Sequence, residues 1–272
     1  MIHAWPAWRT LEAWRGDAAR MHAADAGMPS ASEVMAGVCG LCGSSRGFNA
    51  ASDNAREGFI CIGCRCNARQ RAAGMALLDA LGAPRETARV YATEQASSLF
   101  VALARKMPRL SGSEFTSKRW QRLRFTLWLA RHGVPRWIRR EDVTALGFAD
   151  AELDAVISLD VLEHVPDFEK ALREFARVLR PGAPLVLTVP FYDDRQRSET
   201  IARIRDDGSI EHAGEPEFHG DPLSGGVLCY HHFAWDLLDA MRAAGFSDAL
   251  ASRVRDPARG LPQGQWVLLA RR

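Results

Sequence analysis

The 272-residue chain has no run of about 18 apolar residues, the length needed to cross a bilayer, so no membrane span is expected. Its start, Met1-Ile2-His3-Ala4-Trp5-Pro6, has neither a basic flank nor an apolar stretch, so no secretory signal is expected there. Internal repeats and low-complexity tracts are absent. Net charge is nearly absent too, at +2. With 47% hydrophobic and 25% charged residues, disordered and collagen-like classes are poor fits, and the length allows a substantial core. Six cysteines are too few for a disulfide scaffold. The expectation is a soluble, cytoplasmic protein that makes no use of a membrane.

What is present is unevenly placed. Residues 101–140 hold eleven Lys/Arg against the single acid Glu114, a local charge of +10 inside a chain that is otherwise −8. Five of the six cysteines fall between residues 39 and 66. Cys39-Gly-Leu-Cys42 and Cys61-Ile-Gly-Cys64 stand 18 residues apart, and two such knuckles supply four soft thiolates for a tetrahedral Zn²⁺. Four protein ligands leave no open position, so Cys39, Cys42, Cys61 and Cys64 predict a structural zinc, with Cys66 as a spare sulfur. The arrangement, a second knuckle opening into a helix, resembles a treble-clef zinc finger.

The helix pattern over 67–81 stops at Gly82-Ala83-Pro84, which divides the chain into an N-terminal helical region plus a four-cysteine zinc finger (1–83) and a larger domain (84–272). Three tryptophans in the first 14 residues read as anchors for an N-terminal helix. Beyond residue 84, β-type runs at 89–93, 109–115, 153–159 and 185–190 alternate with helical patterns at 96–106, 118–132 and 167–179. That alternation predicts an α/β fold with a parallel sheet covered on both faces. The last runs, around residues 250 and 266–269, predict an antiparallel edge pair. In the basic helix, Trp120, Leu123 and Leu127 with Trp128 or Ala130 predict an inward apolar stripe, the arginines facing out. The same residues also suit an anionic or base-bearing partner.

The segment Glu152-Leu-Asp-Ala-Val-Ile-Ser-Leu-Asp-Val-Leu-Glu-His-Val-Pro166, followed by Ala171-Leu-Arg-Glu-Phe-Ala-Arg-Val-Leu-Arg-Pro-Gly182, closely resembles class I S-adenosylmethionine-dependent methyltransferases. The resemblance runs in element order over roughly residues 85–272. It implies a seven-stranded Rossmann-like sheet and S-adenosylmethionine as cofactor. It further implies that Glu114 receives the ribose hydroxyls, that Asp142 lies near the adenine amine, and that Ser158, Leu159 and Asp160 face the methionine end. The chain departs from the family at the glycine-rich turn, which here reads Thr93-Glu-Gln-Ala-Ser-Ser-Leu99. Glu94 takes the first glycine's place and can meet the sulfonium or amino group, while Ala96 and Ser98 keep the helix start open to the carboxylate.

The resemblance places the acceptor site in the insert after the fifth strand, here residues 191–232. Within it, His219 and His231 are the candidate bases, with Asp160 the candidate acidic group across the crevice. Asp160, Glu163 and His164 can also share a divalent ion with a distant histidine, or simply shape the pocket. The expected acceptor is an O or N atom of a small molecule or glycan. The alternatives are a nucleic-acid methyltransferase, for which no Asn-Pro-Pro-Tyr tetrad is present, and a degenerate fold that holds a partner without catalysis.

Overall fold

The computed structural model describes residues 5–25, 33–52, 54–82, 84–220 and 226–272. After β1 (Ala7–Trp8) and α1 (Leu11–Ala24), the chain forms a small antiparallel sheet of β2 (Val34–Met35), β3 (Phe48–Ala50) and β4 (Phe59–Cys61), with the single-turn helix α2 (Ala55–Gly58) between the last two. Helix α3 (Ala68–Leu81) leads to β5 (Val90–Ala92), α4 (Ser98–Ala104), β6 (Leu110–Gly112), α5 (Arg119–Arg131), β7 (Ala155–Leu159), α6 (Phe168–Val178) and β8 (Pro184–Thr188). An insert of short ribbons follows. In it β9 (Glu199–Thr200) pairs with β14 (His231–His232), β10 (Ala202–Ile204) with β11 (Ile210–His212), and β12 (Phe218–His219) with β13 (Val227–Leu228). Helix α7 (Leu237–Ala243) and the long hairpin β15 (Asp248–Asp256) and β16 (Leu261–Arg271) complete the chain.

Seven strands form the central sheet in the order β1-β15-β16-β8-β7-β5-β6. Strands β5, β6, β7 and β8 are mutually parallel, whereas β16, β15 and β1 run antiparallel. The seven-stranded Rossmann-like sheet expected from the resemblance is therefore present, but its seventh member comes from the N-terminus. Residues 7–8 cover the outer edge of β15, pairing Ala7 with Ser252, so the final hairpin is not the edge pair the sequence suggested. At the opposite edge, among the described residues, a single parallel bridge, Ser113 to Arg139, extends the sheet beyond β6. The chain leaves β5 to one side for β6 and then crosses to the other for β7. A crevice opens outside the carboxyl ends of parallel strands at such a reversal.

Local rules account for the helices that frame this crevice. Asn67 and Gln70 form a reciprocal capping box at the start of α3. Asp167 accepts from the Lys170 amide to start α6, whose Leu172 and Phe175 are fully buried. The basic helix turns the other way from its expected stripe. Trp120, Leu123 and Leu127 are about half exposed, while Gln121 and Leu129 are buried and Phe125 and Trp128 pack against the core. Gln121 is drawn inward by a hydrogen bond from the Thr116 hydroxyl (2.5 Å). The N-terminal tryptophans do anchor α1: Trp8 and Trp14 lie 4.8 Å apart, edge to face, and both meet Trp266 on β16. The division expected at residue 83 falls on a position outside the described residues.

Candidate functional site

The four cysteines converge. Sγ of Cys39 lies 4.0 Å from that of Cys64, Sγ of Cys42 lies 3.8 Å from that of Cys61, and all four fall within 4.8 Å of one another. Sulfurs at about 2.3 Å around a tetrahedral ion stand about 3.8 Å apart, so the donor set fits Zn²⁺. Each knuckle closes through a left-handed residue just after its second cysteine, Gly43 (φ +77°) in the first and Arg65 (φ +65°) in the second. Cys66 is buried but outside the cluster, its Sγ directed at the Cys64 carbonyl. Beneath the knuckles, Arg71 is fully buried and donates to the carbonyl oxygens of Phe59, Cys66 and Gly260, with no carboxylate among its partners. Burial pulls its guanidinium downward, and the sulfurs of Cys39, Cys61, Cys64 and Cys66 oppose that pull. Four thiolates around a divalent ion carry a charge of −2, the counter-charge a buried arginine needs.

The cysteine-bearing lobe reaches into the crevice. Arg56 on α2 donates to both carboxylate oxygens of Asp160 (2.6 Å each) at the end of β7, and Nε of Arg69, in the first turn of α3, lies 3.3 Å from the same carboxylate. Thr188 at the end of β8 donates a further hydrogen bond (2.9 Å). Glu57 ties the two arginines together, accepting from Arg56, Arg69 and Asn67. Asp160 itself sits at φ +49°. Burial raises its carboxyl, but Arg69 and Arg56 outweigh it and hold the group below the ordinary carboxylate range. A carboxylate so held does not accept a proton near neutrality; Asp160 positions the arginines.

Glu94 follows β5 on the other wall. Its Oε2 is sealed from water without a hydrogen-bond partner, and so is Nη1 of Arg69. Burial is the main cause that pushes Glu94 up to about 7, against the pull of Arg69. A sealed donor on a cation and a sealed acceptor on a carboxyl fit the two ends of an amino-acid zwitterion. Between pH 4.5 and 7 the folded chain keeps a proton on Glu94 that the unfolded chain releases, so stability falls as pH rises through that window. Glu94→Gln should remove the fall, about 3 kcal/mol for a shift of this size. Denaturant unfolding of both proteins at pH 5 and pH 8 measures it; equal pH dependence in both would count against the assignment.

The remaining cofactor candidates lie on the following elements. Oε1 of Glu114 accepts the amides of Gln95 (2.9 Å) and Ala96 (2.6 Å). Ser97, rather than Ser98, caps α4 by accepting from the Phe100 amide, so Ser98 is the first residue within the helix. Ser158 is buried and accepts from Thr93, and Leu159 ends β7. Asp142 is exposed and accepts from Thr144. Sequence reasoning missed Gln95, which donates to the Trp137 carbonyl and accepts the Arg139 amide, fixing the loop beside β6. It also missed Arg56 and Arg69, whose shared partner Asp160 is distant in sequence and leaves no local signal. Beside Arg56, an open cleft of about 320 Å³ is lined by Asn54, Pro190, Phe191, Gln265 and Trp266.

The insert brings a second polar group to the crevice. His219 lies with Nδ1 3.9 Å from Oε1 of Glu163, and its Nε2 donates to Glu217 (2.9 Å). Glu217 also accepts from Nε2 of His232 (2.7 Å). His231 is buried instead. Its Nδ1 meets the Thr200 hydroxyl (3.2 Å), its Nε2 the Pro166 carbonyl (3.2 Å), and its ring packs on Phe168 and Phe233. Burial lowers its pKa.

Residues 85–187 match the family model described as a methyltransferase domain. That span holds β5, β6, β7 and all but the last residue of β8, the parallel part of the sheet. The chain is 36% identical over 66 residues to norajmaline N-methyltransferase of Rauvolfia serpentina, covering 24% of this chain and 22% of that protein. It is 37% identical over 76 residues to sarcosine/dimethylglycine N-methyltransferase of Halorhodospira halochloris, covering 28% and 27%. The chain thus spans about a quarter of the length of these curated relatives. Among solved structures, the 1,6-didemethyltoxoflavin-N1-methyltransferase of Burkholderia thailandensis aligns at 20% identity and a TM-score of 0.48, covering 75% of this chain and 78% of that one. Among the described residues, no helix is long and apolar enough to cross a membrane.

Proposed function

We propose that this protein transfers a methyl group from S-adenosylmethionine to an O or N atom of a small molecule, with a structural zinc in the Cys39, Cys42, Cys61 and Cys64 cluster. The observation that carries the reading is the pair of sealed polar atoms, Nη1 of Arg69 and Oε2 of Glu94, at a crevice where the sheet order reverses. When bound, the cofactor supplies an activated methyl on a sulfonium, and the protein's part is to bind, orient and exclude water. Arg69 and Glu94 hold the amino-acid end. Glu114 and Asp142, at the end of β6 and on the following rim, hold the ribose and adenine. Ala96 and Ser98 open the α4 start toward the cofactor, while Ser158, Leu159 and Asp160 form the floor. Of the two histidines read as bases, only His219 keeps a place on the acceptor side, since both nitrogens of His231 are engaged within the scaffold.

Titration calorimetry with S-adenosylhomocysteine tests the reading. Binding at one equivalent is expected, weakened by Arg69→Gln and by Glu94→Ala. Absence of any binding to the metal-loaded protein would assign the fold to the non-catalytic, partner-holding alternative. The relatives named above act on small molecules, which favours that acceptor class over a glycan. One observation favours a second reading: the basic helix leaves Trp120 and, beyond it, Trp137 and Phe115 exposed, with Arg124 and Arg140 over the rings of Trp120 and Phe115. Such a surface suits an anionic, base-bearing partner. Steeply salt-dependent binding of an oligonucleotide would support it.

A further inference from the structure

Glu163 follows β7 in a single 3₁₀ turn and is fully buried, yet neither of its carboxylate oxygens has a hydrogen-bond partner. A buried carboxyl whose oxygens lack a side-chain partner is costly to ionise, and the two imidazoles beside it present nitrogens that can serve as ligands. Nδ1 of His219 stands 3.9 Å from Oε1, and Nε2 of the same ring donates to Glu217, which leaves Nδ1 as the lone-pair nitrogen. Nδ1 of His164 is given to the Leu228 carbonyl at 2.8 Å, which makes Nε2 the basic nitrogen of that ring. One ligand atom from each of Glu163, His164 and His219 falls within 4.8 Å of the others. Donors held about 2.1 Å from a tetrahedral metal stand roughly 3.4 Å apart, a spacing that side-chain rotation can reach from here. Each histidine thus already has the outer hydrogen bond, to a carboxylate or a backbone carbonyl, that fixes the tautomer of a metal-bound imidazole.

We propose that Glu163, His164 and His219 bind a divalent transition-metal ion, separate from the thiolate cluster, on the acceptor side of the crevice. Two imidazoles and one carboxylate suit Zn²⁺, Fe²⁺ or Co²⁺ rather than Mg²⁺ or Ca²⁺. Three protein ligands leave open positions, as sites that take a substrate do. Asp160, three residues before Glu163, is committed to Arg56, Arg69 and Thr188 and is not a ligand. The occupant of the open positions is an oxygen of the acceptor, a hydroxyl whose proton the metal loosens. That role rests on the methyl-transfer reading, whereas the metal site does not.

The experiment is a Co²⁺ titration of the full chain with its thiolate cluster loaded with zinc. One further equivalent is expected, with a visible spectrum that lacks sulfur-to-metal charge transfer. Glu163→Gln, an isostere, and His219→Ala, at a partly exposed position, should each weaken that equivalent at least about 100-fold, since each removes a ligand. Cys42→Ser should leave it in place. No second equivalent, a spectrum with thiolate character, or unchanged Co²⁺ affinity in both variants would overturn the proposal. Calorimetry with S-adenosylhomocysteine on the same samples separates the two readings. If Co²⁺ binds and S-adenosylhomocysteine does not, the metal site stands and methyl transfer fails.

Discussion

Removing a metal bound in the cysteine cluster with a chelator is expected to weaken binding of S-adenosylhomocysteine at least about tenfold, equivalent to about 1.4 kcal/mol, although Cys39, Cys42, Cys61 and Cys64 are not among the residues proposed to hold it. The route is structural. The second knuckle opens within a few residues into α3, whose first turn carries Arg69, and α2 with Arg56 lies between β3 and β4 of the same small sheet. Without the ion nothing draws the four sulfurs together and Arg71 loses its counter-charge, so the lobe loosens and both arginines leave Asp160. Metal content and calorimetry are read on the same sample. A protein shown to be metal-free that still binds S-adenosylhomocysteine with full affinity would refute the coupling. Thermal unfolding should also shift downward on chelation, by more than any single surface substitution produces.

Asp160→Asn should destabilise the fold by about 3 to 5 kcal/mol at neutral pH, the range for breaking a buried ion pair from one side. Two arginines point at this carboxylate, and without it Glu57, with Glu94 near Arg69, is left to offset them. The pH dependence distinguishes charge from shape. Because the folded value is depressed, the stabilisation from Asp160 is fully present above the unfolded value of about 4 and is lost as pH falls through the folded value. The gap between wild type and Asp160→Asn in denaturant unfolding should therefore be wide at pH 7 and close in strong acid. A gap that stays constant across that range would show that packing, and not charge, is what the aspartate supplies.

The parts of this molecule legible from sequence are those specified by nearby residues. The knuckle spacing predicts a four-sulfur cluster because each pair closes within one turn. The helix over α3 is set by Asn67 and Gln70 at one end and Gly82 at the other, and α6 by the three-and-four recurrence of Phe168, Leu172 and Phe175. The basic helix misled for a physical reason. Trp120, Leu123 and Leu127 make as regular a stripe as Phe125, Trp128 and Leu129, and periodicity cannot say which one meets the core. Arg56 and Arg69 were illegible because their partner lies at a strand end far along the chain. Glu163 was legible only as one of several polar residues near a strand end; its sealed, unpartnered carboxylate belongs to the folded chain alone.

The strand at residues 7–8 has a consequence in time. It pairs with Ala251 and Ser252, and Arg71 donates to the Gly260 carbonyl 189 positions away. On a ribosome, the first third of the chain emerges long before either partner exists. The knuckles can close early, being local, but the edge strand, the tryptophan cluster and the arginine beneath the cysteines must wait for the last hairpin. Pairings of such long separation are slow to form, because loop closure must be completed before any contact rewards it. Synthesis should thus produce a chain whose small lobe is closed and whose sheet is the last part to set.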